Sequence, residues 1–136
     1  MHNKYLRLAA IFGGLAVAIG AFGAHGLKKL TTDPTILDGF STGAEYQMYH
    51  SLALLGIAII MGKNIDRRFQ WAANCFIAGI VFFSGSLYGL TFLKIYESPY
   101  ASWLGPITPL GGVMFILGWG YIIAVTLTRK GSERKD

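Results

Sequence analysis

Charged residues are absent from four long stretches of this chain, which cover residues 8–27, 46–62, 69–93 and 98–128. A helix needs roughly 20 apolar residues to cross the ~30 Å hydrocarbon core of a bilayer. Lipid offers the backbone no hydrogen-bond partners, so each stretch must satisfy its own N–H and C=O groups, as a helix does. The pattern therefore predicts an all-α, polytopic membrane protein.

The four stretches favour a four-transmembrane-helix bundle that forms one integral membrane domain over residues 1–136. The predicted spans lie near residues 6–25, 44–62, 69–93 and 109–128. The composition agrees, because 53% of the residues are hydrophobic, 14% are charged and the mean hydropathy is +0.46. The first stretch also resembles a signal peptide, since basic residues precede it, but we expect it to be retained as a helix.

Local signals predict where two of the spans begin. Thr42 and Glu45 have the spacing of a capping box, which predicts that the second span starts at Thr42. A short interfacial helix is expected before it, around residues 35–40. Thr108 followed by Pro109 predicts an N-cap and the first position of the fourth span, where a backbone N–H would have no partner in any case.

Two connections complete this predicted arrangement. Residues 99–107, with Tyr100 and Trp103, are expected at the outer membrane interface as part of an aromatic belt. Residues 63–68 are expected to form a tight cytoplasmic hairpin between the second and third spans.

Small residues recur at a four-residue spacing in two of the predicted spans. The first span contains Ala16, Gly20 and Ala24, and the third contains Gly85 and Gly89. Such rows let helix backbones approach closely in a membrane, where no hydrophobic force acts between helices. We expect packing surfaces at these positions, within one chain or between copies, and a homo-oligomer is therefore a candidate assembly.

The basic residues are unevenly distributed over the connections. Nine of the 12 lie in the N-terminal segment, the 63–68 connection and the C-terminal tail, whereas Lys28, Lys29 and Lys94 lie on the other side. By the positive-inside rule, both termini are expected in the cytoplasm and the protein in the cytoplasmic (inner) membrane. The net charge of +5 then indicates topology and contact with anionic lipids at the cytoplasmic face, not nucleic-acid binding.

The outer ends of the predicted spans contain most polar side chains of the four stretches. Nine are candidate ligand-binding residues: His25, Glu45, Tyr46, Tyr49, His50, Ser84, Ser86, Tyr88 and Thr108. Ionisable residues within a span are costly to bury, so they indicate function. His25, His50 and Glu45 are candidate metal ligands, and the two histidines are candidate axial ligands of a haem.

A structural interpretation of these residues stays open beside the functional one. Glu45 fits the predicted capping box, Tyr46 and Tyr49 fit an aromatic belt, and His50 fits a core histidine that bonds a neighbouring Ser or Tyr. The sequence contains no GxxxxGK or HExxH motif and no paired carboxylates within a span. The single cysteine, Cys75, excludes an internal disulfide and a cysteine-based zinc site. Catalysis is therefore not indicated.

Four motifs together resemble a known family. They are GAFGAHGL at 20–27, YQMYHSLAL at 46–54, FSGSLY at 83–88 and GPITPLGG at 105–112. The chain is similar to the domain of unknown function 423 family (UPF0382), small inner-membrane proteins of the YwdK and YgdD type. The resemblance implies a multi-pass cytoplasmic-membrane protein with eukaryotic relatives, and it implies no established activity. Its motifs contain eight of the polar and turn positions: His25, Tyr46, Tyr49, His50, Ser84, Ser86, Thr108 and Pro109.

The leading interpretation is a structural or binding protein and not an enzyme. Its outer polar cluster would hold the helices together or bind a small ligand or a lipid headgroup. The first alternative is a haem- or metal-binding redox protein that uses His25 and His50. The second is an oligomeric small-solute or ion transporter, which ranks lower because the cytoplasmic halves of the spans are nearly devoid of polar residues apart from Asn74.

Overall fold

A computed structural model of the chain describes residues 2–63 and 66–132, which form helices joined by short turns, with no strand among them. The α-helices are α1 (His2–His25), α2 (Pro34–Met61), α3 (Arg67–Gly79), α4 (Gly85–Ile95), α5 (Ala101–Leu104) and α6 (Ile107–Ser132). A 3₁₀ turn at Leu27–Lys29 follows α1, and a π-helical segment at Ile80–Ser84 joins α3 to α4. The predicted all-α class is confirmed.

Three helical segments within these residues are long and apolar enough to span a membrane. They are Asn3–Lys29, Arg67–Ile95 and Ala101–Thr128. Helix α2 is as long as these but does not belong to the set, and its first half contains Asp38 and Glu45. The predicted number of four crossings, with both termini in the cytoplasm, stays a prediction.

Helix α2 begins eight residues before the predicted capping box. Asp33 is its N-cap, and the Asp33 Oδ1 accepts a hydrogen bond of 2.8 Å from the Thr35 backbone N–H, with Pro34 at the first helical position. The predicted start at Thr42 is therefore wrong, because the Asp-Pro signal acts two turns earlier. Residues 35–40, expected as a separate interfacial helix, form the first turns of α2.

Helix α6 begins at Ile107, two residues before the predicted position. Pro109 still lies in the first turn, where its missing N–H leaves no intrahelical hydrogen bond unmade. Thr108 is inside the helix and is not its N-cap, so this part of the prediction is wrong. The preceding Tyr100 and Trp103 are 68% and 77% exposed, and their place in an aromatic belt stays a prediction.

The π-helical segment was not predicted from the sequence. A π turn inserts an extra residue into the hydrogen-bond ladder and rotates everything that follows around the helix axis. The segment packs against the start of α6, where a Cβ built on Gly111 would lie 2.2 Å from the backbone nitrogen of Phe83. The two backbones can be this close only because residue 111 has no side chain.

Long helices that follow one another in the chain run antiparallel where they pack. Gly23 of α1 faces Phe40 of α2, and Gly13 faces Ser51, so the residue numbers rise along one helix and fall along the other. The same order holds between α3–α4 and α6, where a Cβ on Gly118 would meet Phe76. The buried core lies between α1, α2, α3 and α6.

Polar contacts join the ends of the helices near the two termini. The Tyr5 hydroxyl donates to Asn74 Oδ1 at 3.0 Å and links α1 to α3. Arg68 forms an ion pair of 2.6 Å with Asp66 and donates through Nη1 to the Ala124 carbonyl at 3.1 Å. In the predicted 63–68 hairpin, residues 64 and 65 lie outside the described residues.

The predicted rows of small residues pack only in part within one chain. Ala16 is buried, whereas a Cβ built on Gly20 would meet no atom within 4 Å and Ala24 is exposed. In the second row, Gly89 lies against Leu104, and Gly85 has open space beside it. The first row therefore borders a gap between α1 and α2.

Candidate functional site

The structure distributes the nine predicted candidate residues over three places. His50 and Tyr46 lie in an aromatic cluster between α2, α3 and α6. The buried Ser84 and Ser86, with Tyr88 and Thr108, lie where α4 meets α2 and α6. The remaining three, His25, Glu45 and Tyr49, are exposed.

His50 is held in one orientation by both of its ring nitrogens. Its Nδ1 lies 2.8 Å from the Tyr46 carbonyl oxygen, and the Trp119 Nε1–H donates to its Nε2 at 3.2 Å. An indole N–H can only donate, so Nε2 accepts and Nδ1 carries the proton of the neutral ring. The ring also stacks on Phe115 with a centroid distance of 3.5 Å. A metal or haem iron would have to displace one of these hydrogen bonds.

Gln47 is a central polar residue that the sequence reasoning missed. It is 3% exposed, its Nε2 donates to the Phe12 carbonyl at 2.8 Å, and its Oε1 accepts from the Tyr88 hydroxyl at 2.7 Å. One amide therefore joins α1, α2 and α4. The available signal was an amide inside a charge-free stretch, where a polar side chain is expected to bond to a neighbouring helix.

Two hydroxyl groups join α4 to α6 beside the π-helical segment. The Ser86 hydroxyl donates to the Phe83 carbonyl at 2.9 Å and lies 2.6 Å from the Thr108 hydroxyl. With its own hydrogen used, Ser86 accepts from Thr108. Phe83 lies in the π-helical segment, where the regular ladder is interrupted, so Ser86 gives that carbonyl a partner.

Ser84 is fully buried at the end of the π-helical segment, next to Tyr88. Its hydroxyl makes no well-aligned hydrogen bond within the described residues. Among the candidate residues it is the one whose polar atom is buried without such a bond.

The metal candidates are not gathered into a ligand set. His25 is exposed, and its Nδ1 lies 3.2 Å from the Ala21 carbonyl of its own helix. In the described part of the chain, no group of three or more His, Cys, Asp or Glu residues could hold a metal ion. Glu45 instead lies at 3.4 Å from the Ser41 hydroxyl, on the wall of a cavity.

Two cavities flank α1 at the end that carries the 26–33 connection. The first, of about 470 Å³, lies between α1 and α2 and contains Lys28, Asp38 and Glu45 in its wall. The second, of about 380 Å³, is apolar and lies between Phe22, Phe40, Tyr88 and Phe92. Phe40 separates the two.

The link between Gln47 and Tyr88 yields a prediction for a double-mutant cycle. Gln47→Leu and Tyr88→Phe should each destabilise the protein by about 1 kcal/mol, because each leaves a buried polar partner unpaired. The double variant should lose less than the sum of the two. Thermal unfolding in detergent measures this coupling. Strictly additive losses would show that the 2.7 Å contact contributes nothing to stability.

Comparison with known proteins identifies relatives over nearly the whole chain. Residues 19–112 match the family described as protein of unknown function (DUF423). The UPF0382 inner membrane protein YgdD of Escherichia coli K12 is 42% identical over 136 residues, covering 96% of this chain and 97% of its own. The UPF0382 membrane protein SAB0533 of Staphylococcus aureus is 43% identical, covering 93% and 98%.

A eukaryotic relative also matches most of the chain. The UPF0382 membrane protein C1782.12c of Schizosaccharomyces pombe is 38% identical over 118 residues, covering 85% of this chain and 95% of its own. No solved structure matches the chain.

Proposed function

This chain belongs to the DUF423 family of proteins of unknown function, and we propose that it is a four-crossing protein of the cytoplasmic membrane with both termini inside. Its role is structural or binding and not catalytic. The buried polar residues hold the helices together, and the opposite end from the termini offers a binding surface for a small ligand or lipid headgroup.

The observation that carries this proposal is that buried polar side chains form hydrogen bonds between helices. Gln47 bonds across to α1 and α4, His50 bonds to α6 through Trp119, and Ser86 bonds to Thr108. Gln47, His50 and Ser86 thus each bond to a neighbouring helix, which supports a role in assembly.

The packing of α2 supports a fourth crossing. Helix α2 lies antiparallel beside α1 from Phe40 to Ser51 and contacts α3 through His50 and Phe76. Its partners on both sides are long and apolar enough to span a membrane. A helix enclosed by two such partners at the same depth crosses with them, and its polar first turns then lie at the outer interface.

Two further partners follow from this arrangement. The nine basic residues on the side of the termini contact anionic lipids. Helix α1 exposes Ile11 and Leu15, four residues apart on one face, and this is the surface where a second copy would pack.

Single-cysteine labelling tests the four crossings. In a Cys75→Ser background, we expect Thr32→Cys and Ser102→Cys to react with a membrane-impermeant maleimide on intact cells. Asn3→Cys and Lys63→Cys should react only after the membrane is opened, because they lie on the cytoplasmic side. All four positions are exposed, so a difference in labelling between them does not come from burial within the protein. Reaction of both residue 32 and residue 63 from outside would disprove a crossing by α2.

A further inference from the structure

The cavity between α1 and α2 has the size and the lining of a binding site. Its volume of about 470 Å³ falls within the range of roughly 300–1,000 Å³ that is usual for small-molecule sites. It exists because Ala16, Gly20 and Ala24 present almost no side chain on this face of α1. A Cβ on Gly20 would meet no atom within 4 Å, so none of the described residues fills the space next to it.

The upper wall of the cavity, meaning the part nearest the 26–33 connection, contains charges of both signs. Asp38, Ser41 and Glu45 recur at intervals of three and four residues, so they lie on one face of α2, and Lys28 reaches the cavity from the 3₁₀ turn. Within residues 2–63 and 66–132, neither of the two carboxylates forms an ion pair with a basic side chain of the protein. Both carboxylates are exposed, so a positively charged group at the mouth of the cavity can reach them.

The lower part of the cavity, farther from that connection, is apolar. Ala16, Ala44 and Met48 line it, and from Ala16 to Ala24 it extends about 12 Å along α1 at 1.5 Å per residue. A fully water-soluble ligand would gain little from this part. An acyl chain fits it, because the wall continues the apolar surface of the surrounding helices.

We infer that this cavity binds a phospholipid whose headgroup carries a primary ammonium, of the phosphoethanolamine type. The inference rests on the proposed function, since the cavity meets a lipid leaflet only if α2 crosses the membrane. The ammonium bonds to Glu45 and Asp38, the phosphate pairs with Lys28, and one acyl chain follows the apolar lower part.

The chemistry of the wall selects this headgroup over two others. A primary ammonium has three N–H donors for carboxylate and hydroxyl oxygens, whereas a quaternary ammonium has none and is usually bound by several aromatic faces. Phe40 is the aromatic side chain in the wall. A headgroup with phosphate and no ammonium would bring a negative charge to two carboxylates and one lysine, which disfavours it.

Native mass spectrometry of the purified protein tests the inference. The protein in detergent is mixed with equal amounts of phosphatidylethanolamine, phosphatidylcholine and phosphatidylglycerol, and the bound lipids are counted. We expect phosphatidylethanolamine to be retained about tenfold over each of the others, the effect of one charge-assisted hydrogen bond. Glu45→Gln should reduce this tenfold preference at least threefold, which corresponds to roughly half of the binding free-energy difference.

A matched pair of variants separates the cavity from the rest of the helix surface. Gly20→Leu places a side chain into the cavity with a Cβ that no protein atom approaches within 4 Å. Gly14→Leu adds the same side chain to the same helix at an equally open position outside the cavity wall. Gly20→Leu should lose the bound lipid and Gly14→Leu should keep it. Equal retention by the two variants, or equal binding of all three lipids by the unmodified protein, would overturn the inference.

Two further controls identify the source of the ligand and separate this inference from the proposed topology. Free glycerophosphoethanolamine should not displace the lipid, because it lacks the acyl chain, and displacement would overturn the assignment to a membrane lipid. The lipid count is made on purified protein and does not depend on cysteine labelling. A labelling pattern of four crossings without lipid preference would therefore overturn this inference alone.

Discussion

Gly111→Ala is expected to lower the free energy of unfolding by about 3 kcal/mol, at the upper end of the cost of overpacking. The added Cβ would lie 2.2 Å from the Phe83 backbone nitrogen and 2.7 Å from its Cα. A side chain could rotate away, but these are backbone atoms of the π-helical segment. Helix α6 would have to move away from α4, which would also stretch the bond between Ser86 and Thr108. Thermal unfolding in detergent measures the loss.

The adjacent Gly112 supplies the control for this prediction. A Cβ on Gly112 would lie 3.9 Å from the Phe83 ring, which is an ordinary van der Waals contact. Gly112→Ala should therefore be neutral or stabilise the protein by up to about 1 kcal/mol through its higher helix propensity. If both substitutions gave the same thermal midpoint, the close approach of the two backbones would be disproved.

His50→Leu is expected to destabilise the protein by about 2 kcal/mol. The substitution removes both hydrogen bonds of the imidazole, leaves the Trp119 N–H without its acceptor and ends the 3.5 Å stacking on Phe115. Leucine has a similar volume, so the change reports mainly on these polar and ring contacts. The measurement is again the thermal midpoint of the purified protein.

Tyr49→Leu is the matched control, since Tyr49 precedes His50 on α2 and is 55% exposed. Its expected effect is within about 0.5 kcal/mol, as for surface positions in general. The visible absorption spectrum of the same samples tests the ligand interpretation of the histidines. A Soret band that disappears in His50→Leu, together with an unchanged thermal midpoint, would contradict the structural role of His50.

The all-α class followed from the sequence because it depends on local physics alone. A charge-free stretch in lipid has to bond its own backbone, whatever lies next to it. The start of α6 was predicted within two residues for the same reason, since proline acts on its own turn. The start of α2 was not predicted correctly, because two local signals competed and the Asp33-Pro34 signal prevailed over Thr42 and Glu45.

The candidate site was predicted as a set of residues but not as an arrangement. The candidate side chains lie on the helices of the predicted spans, as their positions in the sequence required. Their separation into an aromatic cluster at His50, a hydroxyl link at Ser86 and an exposed wall at Glu45 depends on rotation about each helix. The π-helical segment changes that rotation halfway along α3 and α4, and no residue type marks it in the sequence.

By itself, the sequence determined that this chain is helical and apolar enough for a membrane, and which residues are available for polar contacts. Those properties reside in consecutive residues and in the solvent around them. Only the tertiary structure decided that Gln47 joins three helices, that Gly111 must lack a side chain and that Gly20 borders a cavity. Each of these depends on how closely two helices that are distant in sequence approach, and that distance is set by the packing of all their side chains together.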